Sequence, residues 1–275
     1  LINTAATTTS NQDWDQYKLA SFFGRIDYAF DDKYLFDLSL RADGSSKFNK
    51  GYQWGYFPAI GAAWRLSKES FLQDVAFLND LKLKTSYGLT GNQNGINSFA
   101  SRQLWSGVGS SYRGVAGIFP EQLANQQLSW ETTSQFSIGL DAALLNNRIT
   151  TSLNYYYKYT KDGLLTEVLP GTTGFGNFTN NAVEISNKGF ELSVSSLNIK
   201  STVFSWSTSF NIARNINKIE KLATPQNYGS RDLIQFREGH PMYSFWLYTQ
   251  LHVDPLTGDA VYADVHGYGR ITTGD

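Results

Sequence analysis

Apolar and polar side chains alternate one by one along stretches of ten residues or more, which confines the chain to long β-strands with one greasy and one wet face. The pattern is clearest where Ile149, Thr151, Leu153, Tyr155, Tyr157 and Tyr159 fall on one face and Thr150, Ser152, Asn154, Tyr156, Lys158 and Thr160 on the other. Phe22, Gly24, Ile26, Tyr28 and Phe30 oppose Phe23, Arg25, Asp27 and Ala29, and Phe36, Leu38, Leu40 and Ala42 oppose Asp37, Ser39, Arg41 and Asp43. The same split recurs from Ile60, Leu81, Phe136, Phe190 and Phe204, so eight strands are predicted, with a candidate ninth near Tyr243 to Leu251.

Stretches of this length exceed the ~5 to 6 residues of an ordinary strand and match the ~9 to 11 that cross a bilayer at a tilt. The connections alternate in length as well. Asp31-Asp32-Lys33, Leu145-Asn146-Asn147-Arg148 and residues 199–202 read as tight turns, and 67–80 as a longer one with a helical turn expected over 69–78. Between them lie polar, Gly/Asn/Ser-rich stretches at 43–55, 90–130, 161–187 and 215–243. Long loops on one side and short turns on the other are the mark of an outer-membrane barrel, the short side being periplasmic. The fold class expected is therefore all-β: an antiparallel transmembrane barrel segment whose polar faces, Arg25/Asp27, Asp37/Ser39/Arg41 and Ser205/Ser207/Ser209/Asn211, line an interior. A two-layer soluble β-domain is the competing reading.

Composition supports the first. The chain holds 7 Trp, 16 Tyr and 18 Phe, while only 17% of its residues are charged. Trp and Tyr prefer the headgroup boundary, where Trp54/Tyr56/Phe57 and Tyr155/Tyr157/Tyr159 are expected on the long-loop side. No window approaches the ~18 apolar residues of a membrane helix; the richest run is Ala142-Ala143-Leu144-Leu145. A net charge of −1 lacks the basic excess that phosphate backbones demand, which argues against nucleic acid as a partner. The absence of cysteine excludes disulfide scaffolds, Cys-ligated metals and thiol catalysis. The chain reads as an internal piece of something longer, since it opens on Leu1 without a basic leader and apolar core.

Several blocks, in order, resemble the barrel of the SusC/RagA family of TonB-dependent outer-membrane transporters. They are Tyr34-Leu35-Phe36, Leu40-Arg41-Ala42-Asp43-Gly44-Ser45-Ser46-Lys47-Phe48, Trp54-Gly55-Tyr56-Phe57-Pro58 and Ala63-Trp64-Arg65-Leu66-Ser67. Residues 81–92, Leu128-Ser129-Trp130-Glu131-Thr132-Thr133, 145–149, Tyr155-Tyr156-Tyr157-Lys158, 184–192 and Glu238-Gly239-His240-Pro241 continue the likeness. The resemblance implies that residues 1–275 are part of a 22-stranded barrel filled by a plug, with the plug and final strands lying outside this chain. It further implies energised import of oligosaccharides or peptides, with a SusD-like surface lipoprotein as lid and the TonB complex as motor, acting through the plug.

Candidate site residues are sought in the long loops, where flat aromatics beside Asn, Gln and Arg suit a sugar ring. Trp105, Tyr112, Phe175 and Phe178 are the ligand-binding candidates, with Phe119, Tyr228 and Phe236 nearby in type; packing of loops or contact with a lid is the competing role. Residues 264–275 keep the frame of a twelve-residue calcium loop, with Asp264 and Asp275 at its ends, Gly269 at the sixth position and Ile271 at the eighth; His266 and Tyr268 stand where oxygen ligands belong, so no metal is expected. No cofactor is expected either: Gly107-x-Gly109 lacks its third glycine. His240, His252 and His266 lack metal spacing, and the spacing of Glu184 and Glu191 does not make them a glycosidase pair, so no enzyme is expected. The function expected is outer-membrane nutrient import. The alternatives are a soluble extracellular carbohydrate-binding β-domain, or a porin or siderophore receptor of another outer-membrane family.

Overall fold

The computed structural model describes residues 15–107, 111–222, 225–229, 233–256 and 258–263, with backbone alone at 111, 112 and 116. Four long strands come first: β1 (Leu19–Phe30), β2 (Tyr34–Ser45), β3 (Trp54–Arg65) and β4 (Leu78–Asn92). Short loop strands follow: β5 (Leu104–Ser106), β6 (Ser111–Tyr112), β7 (Val115–Ala116) and β8 (Phe119–Leu123). Four more long strands, β9 (Glu131–Leu144), β10 (Ile149–Val168), β11 (Asn177–Lys200) and β12 (Ser205–Leu222), complete the wall. Beyond it lie β13 (Gln226–Tyr228), β14 (Ile234–Phe236), β15 (Ser244–Phe245), β16 (Gln250–Val253) and β17 (Ala260–Tyr262). The long strands pair antiparallel in the order β1-β2-β3-β4-β9-β10-β11-β12, and β8 and β5 extend the sheet beside the start of β11.

Register follows the hydrophobic pattern, because a one-residue slip would exchange the two faces. Leu140, Leu153, Leu192 and Ile212 stand opposite one another across β9 to β12. On this face Phe22 is 68% exposed, Tyr56 64% and Ile60 55%, far more apolar surface than water tolerates on a wall this wide. Lipid accounts for it. Twelve residues span about 40 Å, enough at the usual barrel tilt to cross an apolar band about 25 Å tall. Aromatics mark both boundaries. Phe22 stacks on Trp54 and Tyr157 on Tyr159 toward the long-loop side, while Phe30, Tyr34 and Trp64 stack in series beside the short turns.

Three expectations need correction. Residues 161–187 and 215–222 are largely strand, and the loop between β10 and β11 is only 169–176. Polar residues occur on both faces there and break the alternation, yet the ladder continues in water with Thr166 on Thr179 and Asn180 on Glu167. The connection 66–77 contains a 3₁₀ turn at Leu66–Lys68, and the helical turn expected over 69–78 is confined to its first residues, where Leu72 N and Gln73 N both donate to Glu69 O. No ninth wall strand forms among the described residues: Tyr243, at φ 59°, turns the chain, and its ring joins Tyr228 and Phe236.

The 66–77 turn is tied to the inner aromatic boundary through Glu69. Trp64 Nε1 and Tyr34 Oη each donate to Glu69 Oε1 at 2.9 Å, and Lys33 Nζ donates to Oε2 at 3.2 Å. Donation from Trp64, then Tyr34 and Lys33, holds the Glu69 carboxyl below its ordinary value of 4.5. A depressed carboxyl stabilises the fold fully above the ordinary value and loses that contribution as pH falls through the lower folded value. Thermal melting of the full-length protein is therefore expected to weaken as pH drops below that range, and Glu69→Gln to flatten this part of the profile. An unchanged slope in the variant counts against the anchor.

Candidate functional site

Polar residues alternate with the lipid-facing rows, so the opposite face of the sheet is a continuous hydrophilic wall. Arg25 pairs with Asp27 along β1 at 2.7 Å and Arg41 with Asp43 along β2 at 2.7 Å, each pair two residues apart and hence on one face. Asp141 on β9 accepts from Lys84 Nζ at 2.8 Å and Ser152 Oγ at 2.7 Å, with Lys82 3.5 Å away. A hollow of about 440 Å³ is lined by Arg25, Asp27, Asp37, Lys84, Ser137 and Asn154. Cations and carboxylates are interspersed, which suits a neutral or zwitterionic polar solute more than one of single sign.

A small apolar core sits on this same polar face at the long-loop end. Phe48, Phe57, Ile96, Ala100, Leu128 and Trp130 are buried together, with Leu89 and Leu164 against them. The Trp130 ring lies 5.3 Å from Phe48 and 5.7 Å from Phe57, and its Nε1 donates to the Gln53 carbonyl at 2.9 Å. Phe57 thus belongs to the inner core, whereas Trp54 and Tyr56 are at the lipid boundary; parity along β3 separates them. The β4–β9 loop, 93–130, is fastened over the wall by side-chain amides, Gln122 buried and Asn181 half-buried. Gln122 Nε2 meets the carbonyls of Phe99, Ala100 and Arg102, and its Oε1 accepts from Asn97. Asn181 on β11 accepts from Ser129 N and donates to the carbonyls of Ser129 and Asp162. Beside this core a second hollow of about 380 Å³ is lined by Arg41, Asp43, Asn92, Gln93, Asn94 and Trp130.

Glycine makes room for Phe57. A Cβ built at Gly91 would stand 2.0 Å from Phe57 Cζ, and one at Gly55 2.5 Å from it. Gly91→Ala is expected to cost about 1–3 kcal/mol through overpacking. Phe57→Leu in the same chain should recover part of the loss. A double-mutant cycle on denaturant unfolding reads this coupling, and strict additivity would contradict the contact.

The aromatics chosen as ligand candidates have separate fates. Trp105 on β5 is 58% exposed and opposite Pro120 on β8. Phe178 opens β11 opposite Leu123 on β8, with half-buried Phe175 just before it. The β11-β8-β5 extension therefore gathers Trp105, Phe175 and Phe178 at one end of the wall. Tyr112 has its backbone in β6, and its side chain lies outside the described residues. The amides Gln122, Asn181 and Gln93 were not singled out by the sequence, because an amide among other polar residues has no periodic signature.

Glu184 and the segment around His240 make structural contacts. Glu184 accepts from the Tyr159 hydroxyl on the lipid-facing side, whereas Glu191 lies seven residues along β11 on the other face. At about 3.3 Å per residue they are far beyond the span of a glycosidase pair. The segment around His240 docks on β12 through its backbone, with Ile219 N donating to His240 O and Gly239 N to Ile219 O. Among the described residues no three His, Asp or Glu side chains gather as a metal site, and residues 264–275 lie outside them.

Comparison with known proteins gives a consistent set of likenesses. Residues 1–269 match the family model "TonB dependent receptor-like, beta-barrel". TonB-dependent receptor P3 of Formosa agariphila is 34% identical over 98% of this chain and 30% of its own length. TonB-dependent receptor SusC of Bacteroides thetaiotaomicron is 33% identical over 94% of this chain and 28% of its own. Among solved structures, the RagAB peptide transporter superposes with a TM-score of 0.82 at 29% identity, covering 94% of this chain and 28% of that one. The chain therefore spans less than a third of the length of these relatives.

Proposed function

Because this chain belongs to the TonB-dependent receptor-like β-barrel family of the outer membrane, we propose that it forms part of the wall of a SusC/RagA-type nutrient importer. The observation that carries this reading is the sidedness of the sheet: eight antiparallel strands with hydrocarbon-compatible residues outward and a charged, loop-capped wall inward. Among the described residues β1 leaves one edge unpaired, as does β12 below the docked segment at Gly239 and His240, and an open edge is not tolerated in lipid. In the working protein the wall continues past both, toward the 22 strands that the family resemblance implies, around a plug that receives the TonB complex.

The cargo we infer is an oligosaccharide or a peptide, both neutral or zwitterionic polar chains that suit a wall of alternating Arg, Lys and Asp. SusC and the RagAB peptide transporter, to which the chain is similar, support this reading. The loop end, with exposed Trp105, Val115 and Ile118, is where a SusD-like lipoprotein lid would seat, and Trp105, Tyr112, Phe175 and Phe178 serve the cargo or that lid. The wall supplies a path and leaves the energy input to the motor, so no residue here performs a bond-breaking step.

The test is uptake by cells producing the full-length protein. Accumulation of labelled oligosaccharides or peptides should vanish when the protein is deleted and when the proton-motive force is collapsed. Unchanged accumulation of both cargo classes after deletion would refute import.

A further inference from the structure

The lipid-facing rows of β1–β4 and β9 contain no charged side chain, but those of β10–β12 become basic above the outer aromatics. The row through Tyr155, Tyr157 and Tyr159 reaches Lys161, that through Phe190 reaches Lys188, and that through Ile212 reaches Arg214 and Lys218. Phe190 stands opposite Arg214, Lys188 opposite Ile216 and Ser186 opposite Lys218. Lys188 is therefore diagonal to both Arg214 and Lys218, at about 7–8 Å from each.

Their depth follows from strand geometry. Eight residues above Trp206, at the short-turn end of β12, Arg214 lies about 26 Å along the strand and about 20 Å higher at the usual tilt; Lys218 lies about 30 Å higher. An apolar band about 25 Å tall ends between them, and a long Arg side chain reaches the boundary from just below it. All of Lys161, Lys188, Arg214 and Lys218 are exposed.

Only part of this charge is met within the chain. Glu220 takes Lys218 at 2.6 Å, and Glu184 lies 3.7 Å from Lys221. Lys161 lies over the Tyr159 ring, Lys188 shares the field of Glu220 without a direct ion pair, and Arg214 has no ion pair among the described residues. Cations spaced this closely at a low-dielectric boundary repel one another unless an anion sits between them. We propose that Lys188 and Arg214, flanked by Lys161 and Lys218, form a binding site for the phosphate of an anionic glycolipid in the outer leaflet. The site depends on the outward face meeting lipid and is independent of what the wall transports.

The experiment uses the full-length protein in nanodiscs of uncharged lipid, titrated with phosphorylated lipid A and read by native mass spectrometry. Each surface cation near an anionic headgroup contributes about a factor of five, so Lys188→Gln with Arg214→Gln should weaken binding roughly 30-fold. Lys188→Arg with Arg214→Lys should bind like the parent, as should Lys68→Gln at the opposite boundary. Dephosphorylated lipid A should bind the parent as weakly as phosphorylated lipid A binds the Gln pair. Equal binding of the two lipids to the parent overturns the site, and this arm decides the matter if the Gln pair does not fold. Equal binding by the folded Gln pair, or displacement of the lipid by millimolar inorganic phosphate, also overturns it.

Discussion

Leu153→Arg in the full-length protein is expected to lower folding stability in bilayers by about 2–4 kcal/mol, the cost of a cation on the lipid face near mid-depth. Leu153 lies four residues above the start of β10, about 13 Å along the strand, between Leu140 and Leu192 on its neighbours. No carboxylate is available in that row, and neither boundary is within easy reach of the guanidinium. Ser195→Arg provides the contrast. Ser195 faces inward opposite Ser209, with whose hydroxyl it shares a hydrogen bond at 3.1 Å, and both are exposed. Its replacement forfeits one exposed hydrogen bond and should cost less than about 1 kcal/mol. Guanidinium unfolding of both variants from lipid vesicles, followed by tryptophan fluorescence, reads the difference. Equal costs, or a larger cost at Ser195, would mean that the faces are assigned the wrong way round.

That sidedness was legible in the sequence because a barrel wall obeys a period of two wherever one face meets lipid. Ile149 to Tyr159 and Phe22 to Phe30 fall in the structure on the faces that alternation assigns them. Legibility ends where lipid ends. Above the boundary both faces of β10 and β11 meet water, Thr, Asn and Glu suit either, and a segment such as 177–184 reads as loop while its backbone is still paired. Phe57 shows a second limit. In Trp54-Gly55-Tyr56-Phe57 an aromatic cluster suggests one girdle, but parity places Phe57 inward, where the loop core supplies apolar partners that no local pattern reveals. The loop clamps were hidden for the same reason: Gln122 finds its partners at residues 97–102, 20 to 25 residues back along the loop.

This inner core is where the second large effect is expected, because one side chain joins the wall to the loop above it. Trp130 is 8% exposed, touches Phe48 and Phe57 and caps the Gln53 carbonyl, so truncation removes ring contacts and strands a buried acceptor. Trp→Ala at a packed site costs about 3–5 kcal/mol. The cost should fall on the loop and spare the barrel, since the wall ladder does not pass through Trp130 and proteins open in local units. Trp130→Ala in the full-length protein is thus expected to speed amide exchange at Ala100 and Arg102 by roughly a hundred-fold or more, while β2, β3 and β9 within the bilayer keep their protection. Ala100 N bonds to Asn97 O and Arg102 N to Phe99 O, which makes these two amides direct reporters of the loop's fold. If they exchange at the parent rate, the loop is held by the Gln122 and Asn181 clamps alone. Phe57 and its glycine neighbours would then fill space without fastening the cap.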